Sequence, residues 1–205
     1  MVVIIDYKTG NLGSIQNMLK KIGFKSIISQ NPKDIYNAKK LILPGIGSFD
    51  KGMNSIEQLG LRKILKSRVV EEKLPILGIC LGMQLLTKSS EEGSLPGLGF
   101  VDAKVKKFKN IDKQEPLRIP HMGWNTVKVV KNSGLFEKMP DHFRFYFVHS
   151  YYVSCNKFDN ILATTQYGHE FVSAFQKDNI VGVQFHPEKS HKFGMNLLKN
   201  FMEYY

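Results

Sequence analysis

One stretch of the sequence constrains the fold more than any other: residues 74–86, which read LPILGICLGMQLL. Its first six residues form an apolar run that has the length of a buried parallel strand. Gly78 and Gly82 flank Cys80 at two residues on either side, which is the spacing of a nucleophile elbow with cysteine at its centre. A side chain at either glycine would clash in such a sharp turn. The pattern therefore predicts a strand, a strained turn and a helix.

The predicted helix places the Cys80 thiol at its N-terminus. Met83, Leu85 and Leu86 fit the buried face of this helix, and it is expected to end within Ser90-Glu-Glu-Gly93. Free backbone N–H groups and the helix dipole favour a thiolate at such a position. A cysteine between two packing glycines can equally be buried and inert, and this stretch alone leaves both interpretations open.

A second motif, residues 181–190 (VGVQFHPEKS), supplies the groups that a nucleophilic cysteine needs. An alternating apolar strand leads to His186, and Glu188 follows on the same face if the segment is extended. Cysteine, histidine and glutamate together provide a nucleophile, a general base and a carboxylate that orients the base. We therefore predict a catalytic triad of Cys80, His186 and Glu188.

Both motifs resemble those of the triad (class I) glutamine amidotransferases. Four further blocks are similar to the glutaminase subunits of imidazole glycerol phosphate synthases, the HisH family. The resemblance covers essentially the whole chain, in the family's order. The blocks are DYKTGNL (residues 6–12), LPGIGSFD (43–50), HMGWN (121–125) and FVHSY (147–151).

The resemblance implies hydrolysis of L-glutamine to glutamate and ammonia, and it implies roles for two further groups of residues. Backbone N–H groups would stabilise the oxyanion at Gly45, Ile46, Gly47 and Leu81. The glutamine would be bound by Gln84, Glu92, His149, Ser150 and Tyr151. From the residues alone, a tight turn at a strand end is the favoured interpretation of the glycines after Leu43, and Gln84 can equally face solvent.

The resemblance also implies a partner, because the ammonia must be used and the chain is too short to hold a synthase domain. The expected partner is a cyclase subunit that forms a heterodimer with this chain and makes imidazole glycerol phosphate and AICAR in histidine biosynthesis. Candidate interface residues are Asn11, Trp124 and Lys189. A lone tryptophan is most often a packing residue of a core or an interface, and Lys189 can equally be a surface lysine. The resemblance further implies that the stretch from Pro44 to Gly47 is not set for catalysis until the partner binds its ligand.

Three alternatives stay open. Paralogues of this subunit supply ammonia for sugar amidation in surface polysaccharide biosynthesis, and residues 186–195 (HPEKSHKFGM) and Lys8-Thr9 are closer to those. A non-catalytic binding module could keep the same fold, but the complete triad disfavours it. A cysteine peptidase of this fold would not need the HMGWN and FVHSY blocks.

Composition excludes several other classes. The net charge of +11 comes from 29 lysines and arginines, of which only four are arginine, and they are spread along the chain. Because phosphate recognition favours arginine, we expect no nucleic-acid partner. No apolar run is long enough to span a membrane and no basic leader precedes the first strand, so we expect no membrane association and a soluble, cytoplasmic protein. Cys155 is predicted to be structural, and the scattered histidines lack ligand spacing, so no metal or other cofactor is expected.

The order of elements predicts an α/β fold with one three-layer domain over residues 1–205. Strands alternate with helices to about residue 90, and the chain ends with a strand and a helix. This order predicts a mostly parallel central sheet with helices on both faces, flavodoxin-like and class I glutamine amidotransferase-like. One helix is expected over residues 48–70. An antiparallel patch is expected from strands at 99–108, 126–130, 143–148, 161–166 and 171–176.

Overall fold

The computed structural model describes residues 1–109 and 117–205. Its helices are α1 (Leu12–Lys21), α2 (Pro32–Tyr36), α3 (Phe49–Gln58), α4 (Leu61–Leu65), α5 (Leu81–Leu85) and α6 (His191–Tyr204). Its strands are β1 (Val2–Ile5), β2 (Ser26–Ser29), β3 (Lys40–Gly45), β4 (Ile76–Cys80), β5 (Ser89–Ser90), β6 (Ala103–Lys107), β7 (His121–Thr126), β8 (Lys128–Val129), β9 (Arg144–His149), β10 (Tyr151–Cys155), β11 (Ile161–Tyr167), β12 (His169–Lys177) and β13 (Ile180–Val183). None of the helices in these ranges is long and apolar enough to cross a bilayer.

The centre of the main sheet is parallel, with the strand order β2-β1-β3-β4-β13. Beyond β13 the sheet continues through β12, β10 and β6, which pair antiparallel, and β5 adds to β6 in parallel. Strands β7 and β9 form a separate antiparallel pair. This arrangement confirms the predicted fold class.

Helices cover both faces of the parallel strands, which explains why β1, β4 and β13 are buried along their whole length. In β1, Val3 and Ile5 pack on the side of α2 to α5, whereas Val2 and Ile4 pack on the side of α1 and α6. All four side chains are buried. Burial of one such side chain stabilises the fold by about 1.5–3 kcal/mol, so both layers contribute to the core.

The prediction of one helix over residues 48–70 is wrong in one respect, because the structure has two helices there, α3 and α4. Gly60 has a φ of +64°, a left-handed conformation that ends α3 and lets α4 start in a new direction. The chain after α4 continues as a π-helical turn, Lys66–Glu71. Apolar spacing continues across Gly60, so periodicity alone could not place the break.

The elbow helix is also shorter than predicted, since α5 ends at Leu85 and residues 89–90 form β5 instead. The carbonyl groups of Leu85 and Leu86 accept hydrogen bonds from the backbone N–H groups of Leu98 and Val101. These partners lie in the following loop and replace the next helical turn.

Several boundaries in the antiparallel patch also differ. The strands predicted at 143–148, 161–166 and 171–176 match β9, β11 and β12 within two residues. The strand predicted at 99–108 is shortened to β6, and the one at 126–130 is shortened to β8. No strand was predicted for residues 121–125, and in the structure they form β7 together with Thr126.

The elbow glycines are required by close packing between α5 and the sheet. A Cβ atom on Gly82 would lie 1.7 Å from the carbonyl oxygen of Leu43, and one on Gly78 would lie 2.8 Å from the backbone nitrogen of Met83. Both neighbours are backbone atoms, so neither contact can be relieved by a side-chain rotation.

We predict that Gly82→Ala destabilises the fold by about 3 kcal/mol or more, since α5 must move away from β3. The matched control is Gly13→Ala in α1, where an added Cβ meets nothing within 4 Å. That change should stabilise the protein by roughly 0.5–1 kcal/mol, because alanine is favoured over glycine in a helix. Urea unfolding of both variants measures the difference, and equal midpoints would contradict the packing argument.

Candidate active site

Cys80 lies at the carboxyl end of β4, in the middle of the parallel sheet. It has a φ of +52° and a ψ of −109°, a conformation that non-glycine residues rarely adopt, and only 7% of it is exposed. The parallel register places Gly45 of β3 opposite Cys80, and Val183 of β13 opposite Ile79. The residues that follow β3 and β13 therefore converge on the thiol.

His186 and Glu188 form a buried pair beside this thiol. His186 Nδ1 lies 2.8 Å from Glu188 Oε1, and the two side chains are 2% and 3% exposed. The segment is not extended as predicted, because residues 187–189 form a 3-10 turn. The Ser190 hydroxyl closes this turn by donating to the carbonyl oxygen of His186 at 2.6 Å. The pair predicted from the i, i+2 spacing therefore forms, but by a different backbone geometry.

Electrostatics favour a charged imidazole at this position. Burial by itself lowers the pKa of His186, but the neighbouring Cys80 and Glu188 more than offset burial and raise that pKa above its ordinary value. In the part of the chain that the structure describes, His186 Nε2 is buried with no hydrogen-bond partner of its own. An imidazolium with a free N–H next to a sulfur is the arrangement that stabilises a thiolate.

A cavity of about 450 Å³ opens over the thiol and brings most of the predicted site residues together. It is lined by Cys80 and His186, by three of the predicted oxyanion residues and by all five predicted substrate-binding residues. Lys189 also lies at its wall. These oxyanion and substrate residues are Ile46, Gly47, Leu81, Gln84, Glu92, His149, Ser150 and Tyr151. Gly45, Glu188, Asn11 and Trp124 are not part of the cavity lining.

The predicted oxyanion segment reaches the cavity through a left-handed glycine. Gly47 has a φ of +104°, and Ile46 beside it is exposed. Below them, an added Cβ on Gly45 would lie 2.0 Å from the hydroxyl oxygen of Tyr7. Tyr7 is fully buried and was not anticipated from the sequence, although it lies in the DYKTGNL block.

Two of the predicted substrate-binding side chains are already held by the protein. Gln84 Nε2 donates to the carbonyl oxygen of Tyr151 at 3.1 Å and to Gln184 Oε1 at 3.0 Å. Glu92 Oε2 accepts a hydrogen bond from the backbone N–H of Phe49, at 2.8 Å, at the start of α3. Both side chains are thus fixed in position at the cavity wall before a ligand arrives.

The three predicted interface residues are exposed but do not form one cluster of contacts. Trp124 is 40% exposed and stacks on His191, with ring centroids 5.7 Å apart. Lys189 extends over the ring of Tyr146, with its Nζ atom 5.6 Å from the centroid. Asn11 precedes α1, and its side chain makes no capping hydrogen bond.

A second histidine, His121, lies behind the cavity and was missed in the sequence analysis. His149 Nδ1 lies 2.8 Å from the carbonyl oxygen of Tyr151, which can only accept, so His149 carries its proton on Nδ1. His149 Nε2 must then accept from His121 Nδ1, 3.0 Å away. The amide of Asn125 donates to His121 Nε2 at 3.2 Å. The only sequence signal for this series of hydrogen bonds was the position of His121 and Asn125 in the HMGWN block.

Burial keeps both members of this histidine pair neutral. It lowers the pKa of His121 to about 4 and that of His149 to about 3, although the hydrogen bond to Tyr151 opposes the shift at His149. The site therefore contains two neutral imidazoles and one imidazole whose pKa is raised. This difference distinguishes His149 from His186 as a candidate base.

Cys155 lies outside the elbow and away from His186 and Glu188. It lies half-buried in β10, and burial, with a smaller effect of Asp102, raises the pKa of its thiol to about 12. It is therefore protonated at neutral pH. Across the described ranges, no group of three or more His, Cys, Asp or Glu side chains is arranged to hold a metal ion.

Comparisons with known proteins agree on one family. The family model for glutamine amidotransferase class-I matches residues 3–204. The chain is 60% identical over 203 residues to imidazole glycerol phosphate synthase subunit HisH 2 of Methanococcus maripaludis, covering 99% of both chains. It is 48% identical over 203 residues to subunit HisH of Bdellovibrio bacteriovorus, covering 99% of this chain and all of the relative. A crystal structure of a glutamine amidotransferase is similar in fold, with a TM-score of 0.75, 21% identity and coverage of 99% and 98% of the two chains.

We predict that a glutamine-analogue electrophile modifies Cys80 at neutral pH and spares Cys155, because only Cys80 lies beside a charged imidazole. Glu188→Gln should slow this labelling roughly 10- to 100-fold, since a hydrogen bond to a charged group contributes ~1.5–3 kcal/mol. The matched control is Glu203→Gln on α6, where the exposed carboxylate pairs with Lys199. Peptide mapping gives the result, and preferential labelling of Cys155 would overturn the assignment.

The histidine tautomers give a second prediction. In ¹⁵N spectra of the six histidines, His121 and His149 should be neutral with the proton on Nδ1 at about pH 7, whereas His186 should be doubly protonated. Asn125→Asp exchanges the donor facing His121 Nε2 for an acceptor, so His121 should then be protonated on Nε2 as well as on Nδ1, from which His149 still accepts. A wild-type His121 that carries its proton on Nε2 would contradict the hydrogen-bond chain.

Proposed function

The chain belongs to the class-I glutamine amidotransferase family, and on this premise we propose that it is the glutaminase subunit of an imidazole glycerol phosphate synthase. The observation that carries this proposal is the convergence of Cys80, His186 and Glu188 at the carboxyl ends of β4 and β13, under a cavity. The subunit hydrolyses L-glutamine to glutamate and ammonia, and the ammonia is used in histidine biosynthesis.

The proposed chemistry uses each triad residue once in each half-reaction. The Cys80 thiolate attacks the side-chain amide carbon of glutamine, and the His186 imidazolium gives its proton to the departing ammonia. The neutral imidazole then takes a proton from water as that water attacks the thioester, and the C–S bond breaks to release glutamate and restore the Cys80 thiolate. Glu188 holds the Nδ1 proton through both steps and thereby fixes which nitrogen faces the sulfur.

Two features of the cavity support glutamine as the substrate. The acyl oxygen would lie near the elbow, where the backbone N–H of Leu81 at the start of α5 and those of the Gly45–Gly47 segment are the proposed oxyanion donors. Farther from the thiol, Glu92 keeps one carboxylate oxygen that does not cap α3, and this oxygen can receive the substrate ammonium group. Val148 and His149 of β9 and the following Ser150 also line the cavity.

The proposed partner is a cyclase subunit that forms a heterodimer with this chain. Exposed apolar side chains lie on segments around the active site, including Ile46 of the oxyanion segment and Met122 and Trp124 of β7. Large apolar side chains that are exposed to solvent are typical of a contact with another protein. The names of the relatives favour the histidine pathway over sugar amidation.

We predict that Cys80→Ser abolishes glutamine hydrolysis but leaves the synthase complex able to use added ammonium salts. Loss of the nucleophile stops acyl transfer, while the partner's own chemistry needs only ammonia. The assay follows glutamate release and product formation with the histidine-pathway cyclase. A variant complex that also fails with ammonia would identify Cys80 as structural.

We further predict that the isolated chain binds glutamine but turns it over slowly. The oxyanion segment ends in a left-handed glycine and borders the exposed surface, so its peptide groups can be reset when the partner binds its ribulosyl ligand. Gain of one oxyanion donor contributes about 2.7–4 kcal/mol, so kcat should rise by roughly 10²–10³ with little change in KM. A cyclase-like protein from a sugar-amidation pathway is the comparison partner. Rapid hydrolysis of glutamine by the isolated chain, with no increase when either partner is added, would refute the latency.

A further inference from the structure

Gln184 is a buried residue beside the nucleophile that the triad chemistry leaves without a part. It follows the last residue of β13, and the parallel pairing of β13 with β4 brings it next to Cys80. Its side chain is fully buried, and its Nε2 atom lies 3.6 Å from Cys80 Sγ. We propose that Gln184 is a further catalytic residue, whose amide N–H stabilises the Cys80 thiolate. This inference rests on Cys80 being the nucleophile of the proposed function.

The direction of this hydrogen bond follows from the groups on the other side of the amide. The carbonyl oxygen of Tyr151 can only accept, so the atom of Gln84 that faces it is Nε2, which also faces Gln184 Oε1. The remaining atom of the Gln184 amide, Nε2, is then the one that faces the sulfur. The reverse orientation would place two NH₂ groups against each other and an oxygen against the sulfur.

The chain of hydrogen bonds that fixes this direction begins outside the cavity. Asn125 donates to His121, His121 donates to His149, and His149 donates to the same Tyr151 oxygen. Both imidazoles stay neutral because burial lowers their pKa values, so the donors and acceptors of the chain do not change near neutral pH. The Tyr151 oxygen is thereby held by two donors, and Gln84 has one orientation.

The other groups around the sulfur explain why a second donor matters. His186 supplies the opposite charge, and its other nitrogen is held by Glu188. The carbonyl oxygen of Val148 lies 4.0 Å from Sγ, where it accepts from a thiol but repels a thiolate. The phenol of Tyr7 stays protonated because burial and the charge at Cys80 raise its pKa. An N–H from Gln184 offsets the Val148 oxygen and favours the charged form of the sulfur.

The test is the pH dependence of Cys80 alkylation by iodoacetamide in the full chain. Gln184→Met keeps the length of the side chain and removes the donor. The apparent pKa of alkylation should rise by roughly one to two units, as expected for a lost hydrogen bond to a charged group. Gln184→Glu places a carboxyl group next to the sulfur, and the two groups compete for one proton. The apparent pKa of alkylation should therefore rise more in Gln184→Glu than in Gln184→Met. The control is Gln176→Met on β12, where the amide oxygen instead accepts from Ser133 and Tyr205.

Steady-state kinetics with glutamine add a readout that a purely structural role would not give. Because the amide contacts the sulfur, Gln184→Met should lower kcat by about tenfold or more; it also removes the acceptor of Gln84 Nε2, so a change in KM reports on Gln84 and the change in kcat reports on the sulfur. Gln184→Glu can keep both contacts when protonated, so its activity should recover as the pH falls.

The outcomes separate this inference from the proposed function. A folded Gln184→Met protein with the wild-type alkylation profile would refute the role of Gln184 and leave the glutaminase proposal intact. If iodoacetamide fails to modify Cys80 in the wild-type protein, the nucleophile assignment itself is wrong. Thermal unfolding checks the fold of each variant. If Gln184→Met does not fold, the profile of Gln184→Glu decides, and an apparent pKa equal to that of wild type would refute the inference.

Discussion

The strained backbone at Cys80 is the constraint on which the rest of the site depends. A positive φ at a non-glycine residue costs free energy, and the surrounding structure must over-determine it. The elbow glycines allow this, because α5 can approach β3 so closely that the Leu43 carbonyl occupies the place of a Cβ atom on Gly82. The helix is buried on all sides and is held at its end by the loop that follows. As a result, the sulfur lies at the carboxyl end of β4, in the middle of the parallel strands.

Parallel pairing then brings the other functional groups to that sulfur. Strand β3 delivers Gly45 on one side of β4, and β13 delivers Gln184 and His186 on the other. The site combines one imidazole whose pKa is raised by charged neighbours with two imidazoles kept neutral by burial. The charge of His186 follows from its neighbours Cys80 and Glu188, whereas burial decides the neutral state of His121 and His149.

The sequence could predict the parts of the site that are encoded locally. The elbow glycines, the cysteine and the His-Pro-Glu segment each carry their signal within a few residues, and the alternation of strands and helices predicts the layered fold. The break at Gly60 and the early end of α5 depend on backbone contacts with distant loops, which periodicity does not contain. The roles of His121 and Gln184 arise from pairing between strands that are far apart in the sequence. Both lie inside recognised blocks, but the spacing within a block does not reveal which partner a buried polar group meets.

The central claim is that Cys80 forms a covalent bond with the acyl group of glutamine. The most direct measurement is acid quenching of the Glu188→Gln protein during turnover with its partner present, followed by mass analysis of the peptide that contains residues 74–86. The account predicts a glutamyl thioester on Cys80. Loss of the orienting carboxylate slows both half-reactions, but it slows deacylation more, because only in that step must the imidazole take a proton from water. A glutamyl group on another residue, or glutamate formation under these conditions with no adduct on Cys80 at any time point, would contradict it.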